Sequence, residues 1–351
     1  MGTDYGYANA RVRAMKSCLF RRPFYEKLLQ MATLQDMTTT LAKTPYSRDI
    51  DDAMIKYSGI RGFDEALRMN TMRTFRKILK FVDSDGRELV DILVGRWDVS
   101  NIKTILRGRN IGASTEDIVT SLIPAGELDE ITLRELAGQL DVRSCIDLMA
   151  TWRLPYASAL TEAFPEYTKR RNLTSLELAL DKTYYADAFK RLRRNSMNVS
   201  LVREILRREI DLTNIMTVLR LIKDEINAKE ATRFLLEGGK EFDIAALGSL
   251  LKEASIEDVV FKLKKTSYGQ VLESHMNDYF ETGSLVRIER SLEETAVRRG
   301  ISMFRADPLS IAIIIGYIWA KYNEIINLRV IARSKMVGMP EDKTREALIL
   351  A

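Results

Sequence analysis

An acidic residue, an asparagine three positions later and an arginine six beyond that occur together three times: Asp98, Asn101 and Arg107; Asp211, Asn214 and Arg220; Glu324, Asn327 and Arg333. The offset is 113 residues both times. The chemistry on offer is a catalytic or ligand-binding asparagine flanked by a carboxylate, and arginines able to hold an anion. On a helix turning about 100° per residue, Asn101 falls beside Ile102 and Ile105, while Arg107 lies opposite Asp98. The asparagine therefore sits on the apolar stripe in each copy. A buried carboxamide without partners costs a few kcal/mol, so it is expected to tie its helix to a neighbouring turn or backbone carbonyl. Three-fold recurrence suits architecture better than a single active site. Arg107, Arg220 and Arg333 either form a basic rim or pair with acids on adjacent helices.

Other catalytic sets are sparse. His275 is the only histidine, which excludes multi-histidine metal sites and leaves one candidate base for any Ser-His-Asp or Cys-His arrangement. Cys18 and Cys145 have no metal or redox spacing and read as two reduced, buried thiols. Gly238-Gly239-Lys240 lacks the upstream glycine and the Ser/Thr of a phosphate loop and reads as a helix end. Asp51-Asp52 and Glu293-Glu294 are sequence neighbours, so on a helix their carboxylates diverge. No catalytic, cofactor-binding or metal-binding residue is assigned, and the negatives point to an interaction protein.

The elements carrying the triad repeat with it. Ile92, Ile205 and Ile318 share the offset, and Gly112, Leu122 and Ile123 return at twice the offset as Gly338, Leu348 and Ile349. A second block runs from Ser144 to Tyr156 and from Ile256 to Tyr268, and its third copy stands near the N-terminus, where Leu34 to Tyr46 matches Ile256 to Tyr268 without a gap. Such a period means one helical unit used three times. The division is residues 1–60 as a half-unit packing with the C-terminal unit, 61–170 and 171–280 as full units, and 281–351 as a third, truncated unit completed by the N-terminal segment. An open solenoid has no reason to split a unit this way, whereas a pseudo-three-fold arrangement with its two half-units adjacent does.

Few prolines and glycines among long Leu/Ile/Ala/Glu/Lys/Arg runs make the fold all-α: seven and eighteen in 351 residues. Ser84-Asp85-Gly86 reads as a turn before a helix from Arg87 and a further helix from Asp98 to Arg107. Residues 3–32 read as two helices broken at Arg22-Pro23, Ser114 and Asp117 as a capping pair, and Pro340 as the start of the final helix. Asp307 and Pro308 are expected to open the most apolar helix. That run, Leu309 to Ala320, has 12 residues, against the roughly 20 needed to cross a bilayer. Met1 to Tyr5 leads into an Arg-rich helix without an apolar signal core, which places the chain in the cytoplasm. The formal charge of +5 invites an anionic partner, but the basic groups are dispersed and read as solvated helix faces.

The opening Tyr5-Gly6-Tyr7-Ala8-Asn9-Ala10-Arg11-Val12-Arg13-Ala14-Met15 resembles that of the C subunits of archaeal and bacterial A/V-type ATP synthases and ATPases, a family related to the d subunit of the eukaryotic V-type ATPase. The stretch around Asp98, Asn101 and Arg107 resembles that family too, and the likeness runs the full length. The resemblance implies a non-enzymatic rotor component: three similar helical domains forming a funnel-like body on the cytoplasmic face of the membrane, peripheral to it. Its implied partners are the central stalk and the membrane proteolipid ring, within a hetero-oligomer holding one copy, with no nucleic acid, small-molecule substrate or cofactor. Read from the residues alone, a cytosolic helical adaptor or nucleic-acid-binding scaffold is the alternative, with an enzyme centred on His275 behind it.

Overall fold

The computed structural model describes residues 5–350, and among them every regular element is a helix. Residues 3 and 4, where the first helix is expected to start, lie outside the described residues. The chain forms two compact units, one of Met1–Tyr184 with Met303–Ala351 and the other of Tyr185–Ser302.

Three long helices carry the triads: Ser84–Asn110, Met197–Lys223 and Ala312–Val337. Asp83 and Ser196 cap the first two, their side chains accepting the Gly86 and Val199 amides. The separate helices expected from Arg87 and from Asp98 are one continuous helix, since no proline stands between them and the single glycine, Gly95, is not enough to end a helix of this length. All three ends carry a left-handed residue at the repeat offset: Gly112 at φ 69°, Glu225 at φ 54° and Gly338 at φ 65°. This backbone frees the helix C-terminus and suits glycine.

In the unit that joins both ends of the chain, the third long helix is apolar on every side over Ala312–Trp319 and buried throughout. Leu328, Ile331 and Ala332 further along it share a core with Leu28, Met37, Leu41, Phe63 and Leu67. Each such side chain contributes roughly 1.5–3 kcal/mol relative to exposure. The N-terminal segment and the C-terminal helix thus adjoin, as the displaced half-unit requires. The first long helix contributes Leu93, Ile102, Ile105 and Leu106, all buried, to the same unit.

The other unit is built on the second long helix. Its Ile215, Val218 and Leu219 pack with Leu247, Val259, Leu263, Tyr268, Ile288 and Leu292 from the shorter helices that follow.

Two local expectations are corrected. Pro308 does not open the third long helix: residues 307–311 form turns in which Asp307 accepts the Leu309 and Ser310 amides, and the helix begins at Ala312. Cys18 is exposed, and only Cys145 is buried, because Cys18 follows the end of the Gly6–Lys16 helix. The Ser114–Asp117 cap is formed, as is the Glu341–Glu346 helix after Pro340. No helix among the described residues is long and apolar enough to cross a membrane.

Candidate functional site

Each asparagine closes a loop that lies 22 residues ahead. Asn101 donates from Nδ2 to the Ile123 carbonyl and accepts the Ile123 amide at Oδ1, both at 2.8 Å. Asn214 makes the same two bonds to Leu236, both at 2.8 Å. Asn327 pairs with Ile349 at 2.9 and 3.0 Å. All three are buried. One carboxamide therefore satisfies both polar groups of one loop residue, as a neighbouring β-strand would.

In the first two repeats the acid one turn earlier grips the same loop further on, and in the third it grips the N-terminal segment. Asp98 accepts the Glu127 amide at 2.7 Å and the Leu128 amide at 3.2 Å. Asp211 accepts the Lys240 and Glu241 amides, each at 3.0 Å, and the Tyr268 hydroxyl at 3.3 Å. Glu324 accepts the Phe20 amide and the Tyr46 hydroxyl, both at 2.7 Å, and Lys321 Nζ at 2.8 Å. Phe20 and Tyr46 stand where Phe242 and Tyr268 stand in the preceding repeat, and both ring pairs touch, at centroid distances of 5.6 and 6.1 Å.

Burial pushes the Asp98 carboxyl up to about 7, against the pull of its two amide donors. Asp211 is also raised by burial, with three backbone amides and Tyr268 opposing. Burial, then the charge of Asp211, pushes the Tyr268 phenol up to about 12, and Tyr46 is held well above the ordinary tyrosine range by burial and by Glu324.

Two glycines admit this approach. A Cβ on Gly126 would lie 2.3 Å from the Asp98 carboxylate, and one on Gly239 would lie 2.3 Å from Asp211 Oδ1. Gly239 therefore forms a carboxylate cradle rather than the helix end expected of it.

The arginines meet acids on the helix that precedes the next long helix. Arg107 forms a two-bond pair with Glu177 at 2.7 and 2.6 Å, Arg220 pairs with Glu289, and Arg333 lies 3.8 Å from Asp64. Their side chains keep 60, 55 and 64% exposure. Exposed pairs of this kind contribute about 0–1 kcal/mol each.

His275 sits between two short helices with Nδ1 3.1 Å from Asp278, with no Ser or Cys nucleophile bonded to it. The arrangement holds loops against long helices; it does not assemble an acid, a base and a nucleophile around one point. Sequence reasoning located the asparagines, acids and arginines, marked Tyr46, Tyr268 and Gly239 without the carboxylate contacts they make, and missed the roles of Gly126 and Lys321. The recurrence of glycine and tyrosine at fixed offsets was the available signal.

Known proteins resemble the chain over nearly all of its length. A family model described as ATP synthase (C/AC39) subunit matches residues 8–347. A relative from Methanococcoides burtonii, by name the C subunit of an A-type ATP synthase, is 32% identical over 352 residues, covering 99% of this chain and 95% of its own length. Proteins of the same name from Methanosarcina mazei and Methanosarcina acetivorans are 30 and 31% identical, each covering 99% of this chain and 93% of its own length.

Proposed function

The chain belongs to the ATP synthase (C/AC39) subunit family, and we propose that it is a non-catalytic rotor subunit of an A/V-type ATP synthase/ATPase, a socket that couples the central stalk to the membrane proteolipid ring. The observation that carries this reading is the family match over residues 8–347, which spans all three repeats. The modules are 61–170, 171–280, and 281–351 with 1–60, on the cytoplasmic face of the membrane. Torque passed through a protein is lost wherever loops yield. Repeated clasps by Asn101, Asn214 and Asn327 and their partner acids support a stiff body, because the first two each fix a loop by four hydrogen bonds, buried or partly buried, and the third ties both ends of the chain to one helix. Ile111 and Val337, exposed just past or at the C-terminal ends of the first and third long helices, offer apolar contact points.

Membranes stripped of this protein and reconstituted with it test the proposal. The expected result is ATP hydrolysis without ion movement in its absence, with coupled transport restored on its return, and capture of stalk and ring components by the tagged chain. Retained coupling in stripped membranes, or ATP hydrolysis by the isolated chain, overturns it. Reversing the charge at Arg107, Arg220 and Arg333 together tests whether they contribute to the interface; unchanged partner affinity removes them from it.

A further inference from the structure

Away from the clasps, the antiparallel helices Ser47–Lys56 and Gly59–Leu79 enclose a cleft of about 390 Å³ with a strongly basic wall. We propose that this cleft binds a phosphate-bearing anion carried on an aliphatic stem. Its carboxylates are already committed. Asp49, buried, accepts from Asn70 at 2.7 Å and pairs with Arg73, and Asp52 lies 3.7 Å from Arg48. Arg76, Lys77 and Lys80 remain, and none has a carboxylate within ion-pair distance among the described residues. Beyond the cleft, the Asp129 carboxyl feels the charge of Arg76.

The spacing is costly without an anion. Arg76 and Lys80 are exposed like charges one turn apart, which repel, and Lys77 lies between them in sequence with Arg73 one turn before it already paired with Asp49. The helix dipole favours cations at this C-terminal end, and Arg48 adds a fifth cation to the lining from the other helix. An oxyanion among these groups removes the repulsion and gains charge-assisted bonds. Met69 and Met72 supply an apolar surface beside them, which suits an aliphatic stem. No aromatic ring lines the cleft, so a nucleobase has nothing to stack on.

Binding of inorganic pyrophosphate, and of vesicles of phosphatidylcholine with and without phosphatidylglycerol, to the full chain tests this. The cleft variant is Arg76→Gln/Lys77→Gln/Lys80→Gln. The control is Lys190→Gln/Lys252→Gln/Lys265→Gln, exposed positions outside the cleft that remove the same charge. Affinity is expected to fall about tenfold or more in the cleft variant and to stay within about twofold in the control. Pyrophosphate binding without vesicle binding assigns a free phosphate; vesicle binding that depends on phosphatidylglycerol assigns a lipid headgroup. Either supports the site. Binding of neither probe, or equal losses in the two variants, overturns it.

Discussion

Replacing Gly239 with alanine tests the clasp at its tightest point. The added Cβ would stand 2.3 Å from Asp211 Oδ1 and 2.7 Å from the Phe242 carbonyl, so the loop must withdraw. Withdrawal breaks the bonds from the Lys240 and Glu241 amides to the Asp211 carboxylate. Each charge-assisted bond contributes about 1.5–3 kcal/mol, giving a loss of about 3–6 kcal/mol. Alanine returns about 0.5–1 kcal/mol through the entropy of the unfolded chain, leaving a net cost of about 2–5 kcal/mol. The matched control is Gly248→Ala, inside the Ile244–Leu250 helix with nothing within 4 Å of its added Cβ, and expected to stabilise by about 0.5–1 kcal/mol. Urea unfolding measures both, and amide exchange at Lys240 and Glu241 reports the local opening. In an Asp211→Ala background the Gly239→Ala cost should largely vanish, as expected for coupled neighbours. A cost below about 1 kcal/mol with Asp211 present, or an equal cost in both backgrounds, refutes the reasoning.

Three further outcomes follow from the same geometry. Asp98, raised by burial to about 7, binds a proton in the folded state that the unfolded chain has released. Stability should therefore fall from about pH 4 to about pH 7 by up to roughly 4 kcal/mol and level off above it, a slope absent from Asp98→Asn when unfolding is measured across that range. Lys321→Met leaves Glu324 buried without its cation and should cost about 3–5 kcal/mol in thermal unfolding, much of it recovered by adding Glu324→Gln. Glu225→Gly relieves a left-handed residue at φ 54° and should stabilise by about 0.5–1 kcal/mol in the same measurement, since relief of about 1–2 kcal/mol is partly offset by chain entropy.

The helical class and the repeat were legible because apolar spacing and residue identity carry them. Asn101, Asn214 and Asn327 stood out because a polar residue on an apolar stripe needs a partner. The partner itself was not legible: the Ile123, Leu236 and Ile349 backbone groups are the same in any residue. The acids were harder for the same reason, since the amides of Glu127, Lys240 and Phe20 leave no trace in side-chain identity. Gly126 and Gly239 were visible as a recurring glycine, but the carboxylate that requires them lies 28 residues earlier in the chain in both cases. Lys321, at the margin of an apolar run, gave no sign of being buried. Its place became clear only when Tyr46, 275 residues away, was found beside it at 2.7 Å.

The three acids hold one position in the repeat with different partners, and the third must close by far the longest loop. Asp98 and Asp211 grip amides 29 and 30 residues away, whereas Glu324 grips Phe20 across 304 residues. Closing a loop about tenfold longer costs about 2 kcal/mol more in chain entropy. One additional bond to a charged group, at about 1.5–3 kcal/mol, offsets that difference. Tyr46 repeats the bond that Tyr268 makes to Asp211, and Lys321 supplies the additional one. At the offset of 113 residues, Lys321 corresponds to Arg208 and to Gly95. Against burial, Glu204 chiefly, with Tyr268 and Glu241 adding to it, raises the affinity of Arg208 for a proton, while Gly95 carries no charge, so the cation is absent from the first repeat. The long-range clasp also pins the N-terminal segment to the third long helix, and the shared core of Leu28, Leu41, Leu328 and Ile331 then holds the split repeat together.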